Sequence, residues 1–153
     1  MAVEYRLTLA GDIPLEEVAS LAAPEAIETP ASPGRSRVLT ADLYERNGYA
    51  ISVYGGRHGY YDAERDDGSH WEWEPEAYVN VGFRMGKDEP RDDATPNMVA
   101  TVARILAARK EDAAFVLNGN WLLLTRVDGA LRKHRPTWWH NYGVDELVAG
   151  WQV

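Results

Sequence analysis

The stretch AAFVLNGNWLLLTRVDGALRKH, residues 113–134, decides how the rest of the chain is read. Three largely apolar runs, Ala113 to Leu117, Trp121 to Val127 and Ala130 to His134, are separated by Asn118-Gly119 and Asp128-Gly129. Asn-Gly and Asp-Gly accept the positive φ angles of tight hairpin turns, so the segment reads as a three-strand meander. Immediately upstream, Thr95-Pro96 opens a helix that runs to about Ala108. Its Met98, Val99, Val102, Ile105 and Leu106 recur at three- and four-residue spacing, the stripe of a helix lying on a sheet.

Working toward the N-terminus, His70 to Glu74 and Tyr78 to Met85 read as strands, and Val38 to Tyr44 and Tyr49 to Tyr54 as a hairpin about Asn47-Gly48. Glu28 to Ser36, with Pro30, Pro33 and Gly34, reads as an exposed loop. Before it stands a helix with Leu15, Val18, Ala19 and Ala22 on its inner side, Asp12 as its cap, Pro14 in its first turn and Pro24 at its end. Val3, Tyr5, Leu7 and Leu9 alternate with Glu4, Arg6 and Thr8, which is a half-buried first strand. After His134, a tail with Trp138, Trp139, Tyr142 and Trp151 is expected to fold back as turns and one short helix near Val144 to Ala149. The order β-α-β-β-β-β-α-β-β-β gives an α+β class: a mainly antiparallel sheet with two helices packed on it, as one domain over residues 1–153.

A chain of 153 residues buries about 68–70% of its unfolded surface, enough for a core without metal or disulfide staples. It has no cysteine, which removes thiol nucleophiles, thiolate zinc sites and disulfide frameworks together. The 24 acids against 16 bases give a net charge of -8, which argues against nucleic acid and anionic membrane as partners. No apolar run follows a basic start at the N-terminus, and none is long enough to span a bilayer, so a cytoplasmic address is expected.

Catalytic and metal-binding patterns do not emerge. The histidines, His58, His70, His134 and His140, stand in no HExxH, HxxEH or triad spacing, and GxSxG, P-loop and GxGxxG are absent. His70 with Glu72 and Glu74 imitates a ligand set, but alternating polar residues on a strand read as a solvated face. Counting back from Gly68 places Ala63 where a calcium loop needs its first oxygen ligand. Glu72 and Glu74, beside Trp71, Trp73 and Pro75, lack the nucleophile or oxyanion donors that paired carboxylates would serve. The expectation is no enzyme, no metal and no cofactor. Arg126, Arg132, Lys133, His134 and Arg135 form a basic run beside Trp138 and Trp139, read as decoration of an outer strand face.

Charge placement says more than any motif. Residues 57–93 hold eleven acids and five bases, -6 of the total -8, whereas residues 94–153 hold seven bases and five acids. Tyrosine and tryptophan are interleaved with those acids. Aromatics supply much of the energy of protein interfaces, and flanking charges speed association with an oppositely charged partner. The candidate partner-binding residues are therefore Tyr60, Tyr61, Asp62, Glu64, Asp66, Asp67, Trp71, Glu72, Trp73 and Glu74. Trp71 and Trp73 share a strand face and read as core residues facing a helix, whereas Tyr60 to Asp67 reads as an exposed contact loop. Reversing Asp62, Glu64, Asp66 and Asp67 to lysine is expected to leave the fold intact and slow association.

Several of these segments carry a resemblance. Leu43-Tyr44-Glu45-Arg46-Asn47-Gly48-Tyr49, Gly59 to Glu64, Trp71-Glu72-Trp73-Glu74-Pro75, Pro96-Asn97-Met98, and Leu117 to Leu124 followed by Asp128-Gly129 resemble the third family of Sit-type immunity proteins. That family is named for swarming-inhibition toxins, and the likeness runs from Met1 to about Trp139. It implies an immunity protein that binds and neutralises a cognate bacterial toxin and so protects the producer cell. Together with the acidic segment, this points to a basic toxin as partner. Two other readings stay open: a small-molecule module or enzyme with a pocket lined by Trp71, Trp73 and Trp121, and a homodimer joined through the aromatic patch.

Overall fold

Nine alternating residues, Ala2–Ala10, form the central strand β1 of the computed structural model, which describes residues 2–29, 36–86, 91–144 and 148. In chain order there follow α1 (Leu15–Ala22), β2 (Ile27–Glu28), β3 (Val38–Leu43), α2 (Tyr44–Asn47), β4 (Tyr49–Arg57), β5 (Tyr61–Glu64) and β6 (His70–Trp73). Then come β7 (Ala77–Gly86), α3 (Ala94–Ala108), β8 (Ala113–Leu117), β9 (Trp121–Val127), β10 (Ala130–Lys133) and α4 (Pro136–Asn141). The strands make one sheet in the order β2-β3-β4-β7-β1-β8-β9-β5-β6, with β10 also paired to β9. Every pairing is antiparallel except β5 with β9, which run parallel through Glu64 and Trp121.

Period-2 alternation gives the sheet two different faces. Tyr5, Leu7 and Leu9 of β1, Val79, Val81, Phe83 and Met85 of β7, and Ala113 and Phe115 of β8 join the main core. Against them lie Val18, Ala19 and Ala22 of α1 and Met98, Val99, Val102, Ile105 and Leu106 of α3. Trp138 and Trp139 of α4 belong to the same core, with Trp138 tilted against Tyr5 at 5.9 Å. A bulge opposite Phe115 and Val116 lets both Leu123 and Leu124 of β9 enter this core while Leu122 serves the opposite face. Among the described residues no helix stripe joins the cluster on the opposite face. That second, smaller cluster consists of Ala114, Val116 and Leu122 together with Ala63, Trp71 and Trp73.

The two-helix, eight-strand expectation is wrong: the fold is α+β with four helices and ten strands among the described residues. The added α2 replaces the tight turn expected at Asn47-Gly48. Leu43 pairs with Tyr49, so the connection is one helical turn closed by Gly48 at φ 90°, whose N–H reaches the Leu43 and Tyr44 carbonyls. Asp42 accepts the Tyr44 N–H, and the Arg91 guanidinium caps the Tyr44 and Glu45 carbonyls from across the chain. The added α4 begins with Pro136 after Arg135 in the left-handed region, and it buries the two tryptophans assigned above to a folded-back tail. The short helix expected near Val144 to Ala149 falls largely outside the described residues, as does the centre of the proline loop. The two extra strands are β2 and β5.

Smaller differences have local causes. Asp12 does not cap α1; Pro14 stands at the N-cap and Asp12 pairs with Arg57 at 2.7 Å. Thr95 lies inside the first turn of α3, behind Asp93. The meander is as read, and its Asp128-Gly129 turn has φ 50° and 84°, the two-residue geometry that such a pair favours. At the other turn Leu117 pairs with Trp121, so Asn118, Gly119 and Asn120 form a three-residue loop.

Candidate interaction surface

The acidic-aromatic segment is a β-hairpin that folds across the face of the sheet opposite α1 and α3. Tyr61 pairs with Trp73, Asp62 with Glu72, Ala63 with Trp71 and Glu64 with His70, so the alternation sorts it into two surfaces. Tyr61, Ala63, Trp71 and Trp73 turn inward; Asp62, Glu64, His70 and Glu72 turn outward. This corrects the loop reading of Tyr60 to Asp67, where period-2 alternation was masked by acids at the outward positions. It also corrects the tryptophans' neighbour: they rest on Ala114, Val116 and Leu122, on the side of the sheet away from the helices.

The inward side is built to stay closed. The Tyr61 ring meets Tyr78 edge-on at 5.5 Å and Trp73 at 6.1 Å, and the Arg6 guanidinium lies 4.6 Å over it. Asn80 donates to the Tyr61 hydroxyl at 3.0 Å and itself accepts from Thr8, so a buried polar chain ties hairpin to sheet. Burial pushes the Tyr61 hydroxyl up to about 12, with the Asn80 hydrogen bond opposing it. Tyr61 and the two tryptophans are accordingly half-buried supports of the hairpin.

The outward side is open to solvent. Tyr60 is 55% exposed and donates to Glu72 Oε1 at 3.1 Å, with the hydroxyl pKa raised by that bond. The same Glu72 oxygen stands 3.0 Å from His70 Nε2, and Asp62 stands 3.8 Å from it. Glu74 follows the strand and is exposed. The structure thus brings Tyr60, Asp62, Glu72 and Glu74 onto one accessible acidic surface on β6 and its partner, at the end of the sheet.

The remaining candidates work inside the turn between β5 and β6. Asp67 accepts the Ser69 N–H at 2.9 Å, and hydrogen bonding from the Ser69 side chain, together with this backbone bond, holds its carboxyl below the usual range. Asp66 accepts the Arg135 N–H at 2.8 Å and lies 3.6 Å from His134 Nδ1. Arg135 donates to the Glu64 and Arg65 carbonyls and stacks 4.3 Å over Trp121. These contacts latch the hairpin tip to the start of α4, so reversing Asp66 would disturb the hairpin's seat as well as its charge.

The basic run proposed for an outer strand face is therefore dispersed. Arg126 is only 5% exposed and donates to the Leu106 and Glu111 carbonyls, closing the end of α3. His134 is buried and shares a hydrogen bond of 3.1 Å with Thr125. Trp121 lies under Arg135, engaged separately from Trp71 and Trp73. Sequence reasoning missed Arg135 and His134 as parts of this surface's support; the Arg135-Pro136 junction before a tryptophan pair was the available signal.

His134 makes the latch pH-sensitive. Burial holds its imidazole below the usual range; Asp66 opposes this, while Arg132, Arg65 and Arg135 reinforce it. The unfolded chain takes up that proton near pH ~6.5 and the folded chain resists it, so stability is full above that value and falls as pH drops below it. Urea midpoints measured from pH 7 to pH 5 are expected to decline in the native protein and to decline less in His134→Gln. Equal declines would show that His134 contributes nothing.

Among the described residues no group of three or more histidine, cysteine or acidic side chains is placed to hold a metal ion, and no helix is long and apolar enough to cross a membrane. Compared with known proteins, residues 3–143 match the family model described as SitI3-like. No curated protein and no solved structure matches the chain.

Proposed function

The chain belongs to the SitI3-like immunity family, and we propose that it protects its producer by binding a cognate toxin through the outward face of the β5–β6 hairpin. The family match, spanning residues 3–143 of 153, is the observation that carries the immunity reading. The family implies a cognate toxin; the hairpin gives reason to think that toxin basic. Asp62, Glu72 and Glu74 project from a rigid, sheet-backed ridge with Tyr60 among them, and such a field raises encounter rates with a positively charged cleft. On this reading the protein acts by stoichiometric occlusion in the producer's cytoplasm, without chemistry of its own.

Co-expression tests the function. Cells carrying the cognate toxin are expected to survive only when the chain is present at equal or greater amount. Survival conferred by sub-stoichiometric amounts would replace occlusion with turnover, and killing that proceeds unchanged at excess would remove the immunity role.

A further inference from the structure

At its end of the sheet β6 is the last strand: among the described residues it pairs with β5 alone. The register identifies the backbone groups that this pairing leaves over. The Arg65 N–H donates to the Ser69 carbonyl and the Gly59 N–H to the Pro75 carbonyl, each at 2.9 Å, while the Glu64 N–H turns the other way, to the Asn120 carbonyl. Odd-numbered residues of the hairpin therefore exchange the bonds within it, and even-numbered ones point their N–H and C=O groups out of it. On β6 the outward groups belong to His70 and Glu72. The Arg65 guanidinium takes the His70 carbonyl at 3.0 Å and closes that end of the margin. The His70 N–H and both backbone groups of Glu72 have no protein partner among the described residues.

An unpaired strand margin of this kind is a template for a further strand. No proline and no register shift interrupts the four residues of β6, although these are usual means of blunting an edge. The side chains beside the margin decide what fits. Glu72 stands on the solvent side, with Asp62 across the hairpin and Glu74 two residues on. Trp71 and Trp73, half-buried and with ring centroids 6.0 Å apart, stand on the other side. A second copy of this chain brings the same three carboxylates, and like charges side by side across a strand pair oppose it. A strand with lysine or arginine at alternate positions meets Glu72 and its neighbours with opposite charge, and its intervening side chains lie along the tryptophan pair.

We propose that a strand of the toxin, basic at every second residue, adds to the free margin of β6 and takes up the backbone groups of Glu72. The identity of the occupant rests on the function proposed above; the receptive edge itself does not. The carboxylates then govern the speed of encounter and the backbone bonds the lifetime of the complex.

Two measurements separate the edge from its occupant. Residue-resolved amide exchange by NMR reads the edge in the free protein, where the Trp71 and Trp73 amides are expected to be protected and that of Glu72 to exchange freely. A synthetic peptide of alternating lysine and valine is expected to slow the Glu72 amide saturably, and one of alternating glutamate and valine to leave it unchanged. A Glu72 amide already protected in the free protein, or no slowing with the lysine peptide, overturns the receptive edge whatever the toxin does. With the cognate toxin, Glu72→Gln removes the charge and keeps the N–H, whereas Glu72→Pro removes both, at a position where the hairpin does not use that N–H. Glu72→Pro is expected to dissociate about 10- to 100-fold faster than Glu72→Gln, the effect of losing a main-chain hydrogen bond at an interface. Equal dissociation rates overturn the added toxin strand even where the peptide binds. Should Glu72→Pro fail to fold, the native complex decides: a Glu72 amide exchanging there as fast as in the free protein overturns the proposal.

Discussion

Replacing Trp139 with alanine is expected to cost about 3–5 kcal/mol of folding stability, a large share of the roughly 5–15 kcal/mol that a domain of this kind has. The side chain is fully buried, and its indole N–H donates to both the Leu123 carbonyl at 3.1 Å and the His134 carbonyl at 2.9 Å. It meets Trp138 edge-on at 5.0 Å, and Trp138 in turn reaches Tyr5 and Tyr142. Truncation would open a cavity between α4 and the β9–β10 pair and remove the one N–H that both carbonyls share, leaving the Leu123 carbonyl only the His134 N–H, and so loosen the segment that carries Arg135. Urea unfolding measures this directly. Trp121→Ala is the contrast: that ring is 45% exposed and its main engagement is the Arg135 stack, worth ~0.5–1 kcal/mol. Equal losses at the two sites would mean that α4 is not the support it is taken to be.

The largest functional effect is expected from reversing the outward ridge. Asp62→Lys, Glu72→Lys and Glu74→Lys together change the local charge by six units while touching only exposed side chains. Their contacts with Tyr60 and His70 are solvent-exposed, and such contacts add little to stability. Association with the cognate toxin at low salt is expected to slow by about 10- to 100-fold, within the range attributed to electrostatic steering. The difference should shrink as added salt shortens the screening length toward ~3 Å at 1 M. Asp66 is left out because it anchors the turn to Arg135. Stopped-flow mixing at two ionic strengths gives the answer, and equal rates at low salt would remove the ridge from the encounter.

Much of the sheet is legible in the residues because burial on one face writes a period-2 pattern, as in Tyr5, Leu7 and Leu9, and because Asp128-Gly129 specifies its own turn. The missed elements lack that signature. β2 is two exposed residues, Ile27 and Glu28, visible only through pairing with Thr40 and Leu39. In β5 the inward positions are a tyrosine and an alanine set between acids, so local polarity hides a strand that long-range packing on Leu122 stabilises. At α2 an Asn-Gly pair favours a positive φ without fixing the loop length, and the pairing of Leu43 with Tyr49 decides in favour of a helical turn. The candidate surface divides in the same way. Composition located the acids and aromatics, but only strand register separates Asp62 and Glu72, which face solvent, from Tyr61 and Trp73, which hold the hairpin down.

The most direct test is hydrogen exchange on the complex with the cognate toxin, compared with the free protein. Protection is expected to concentrate in residues 60–74. Protection confined to α1 and α3, with the hairpin exchanging as in the free protein, would contradict binding through this face.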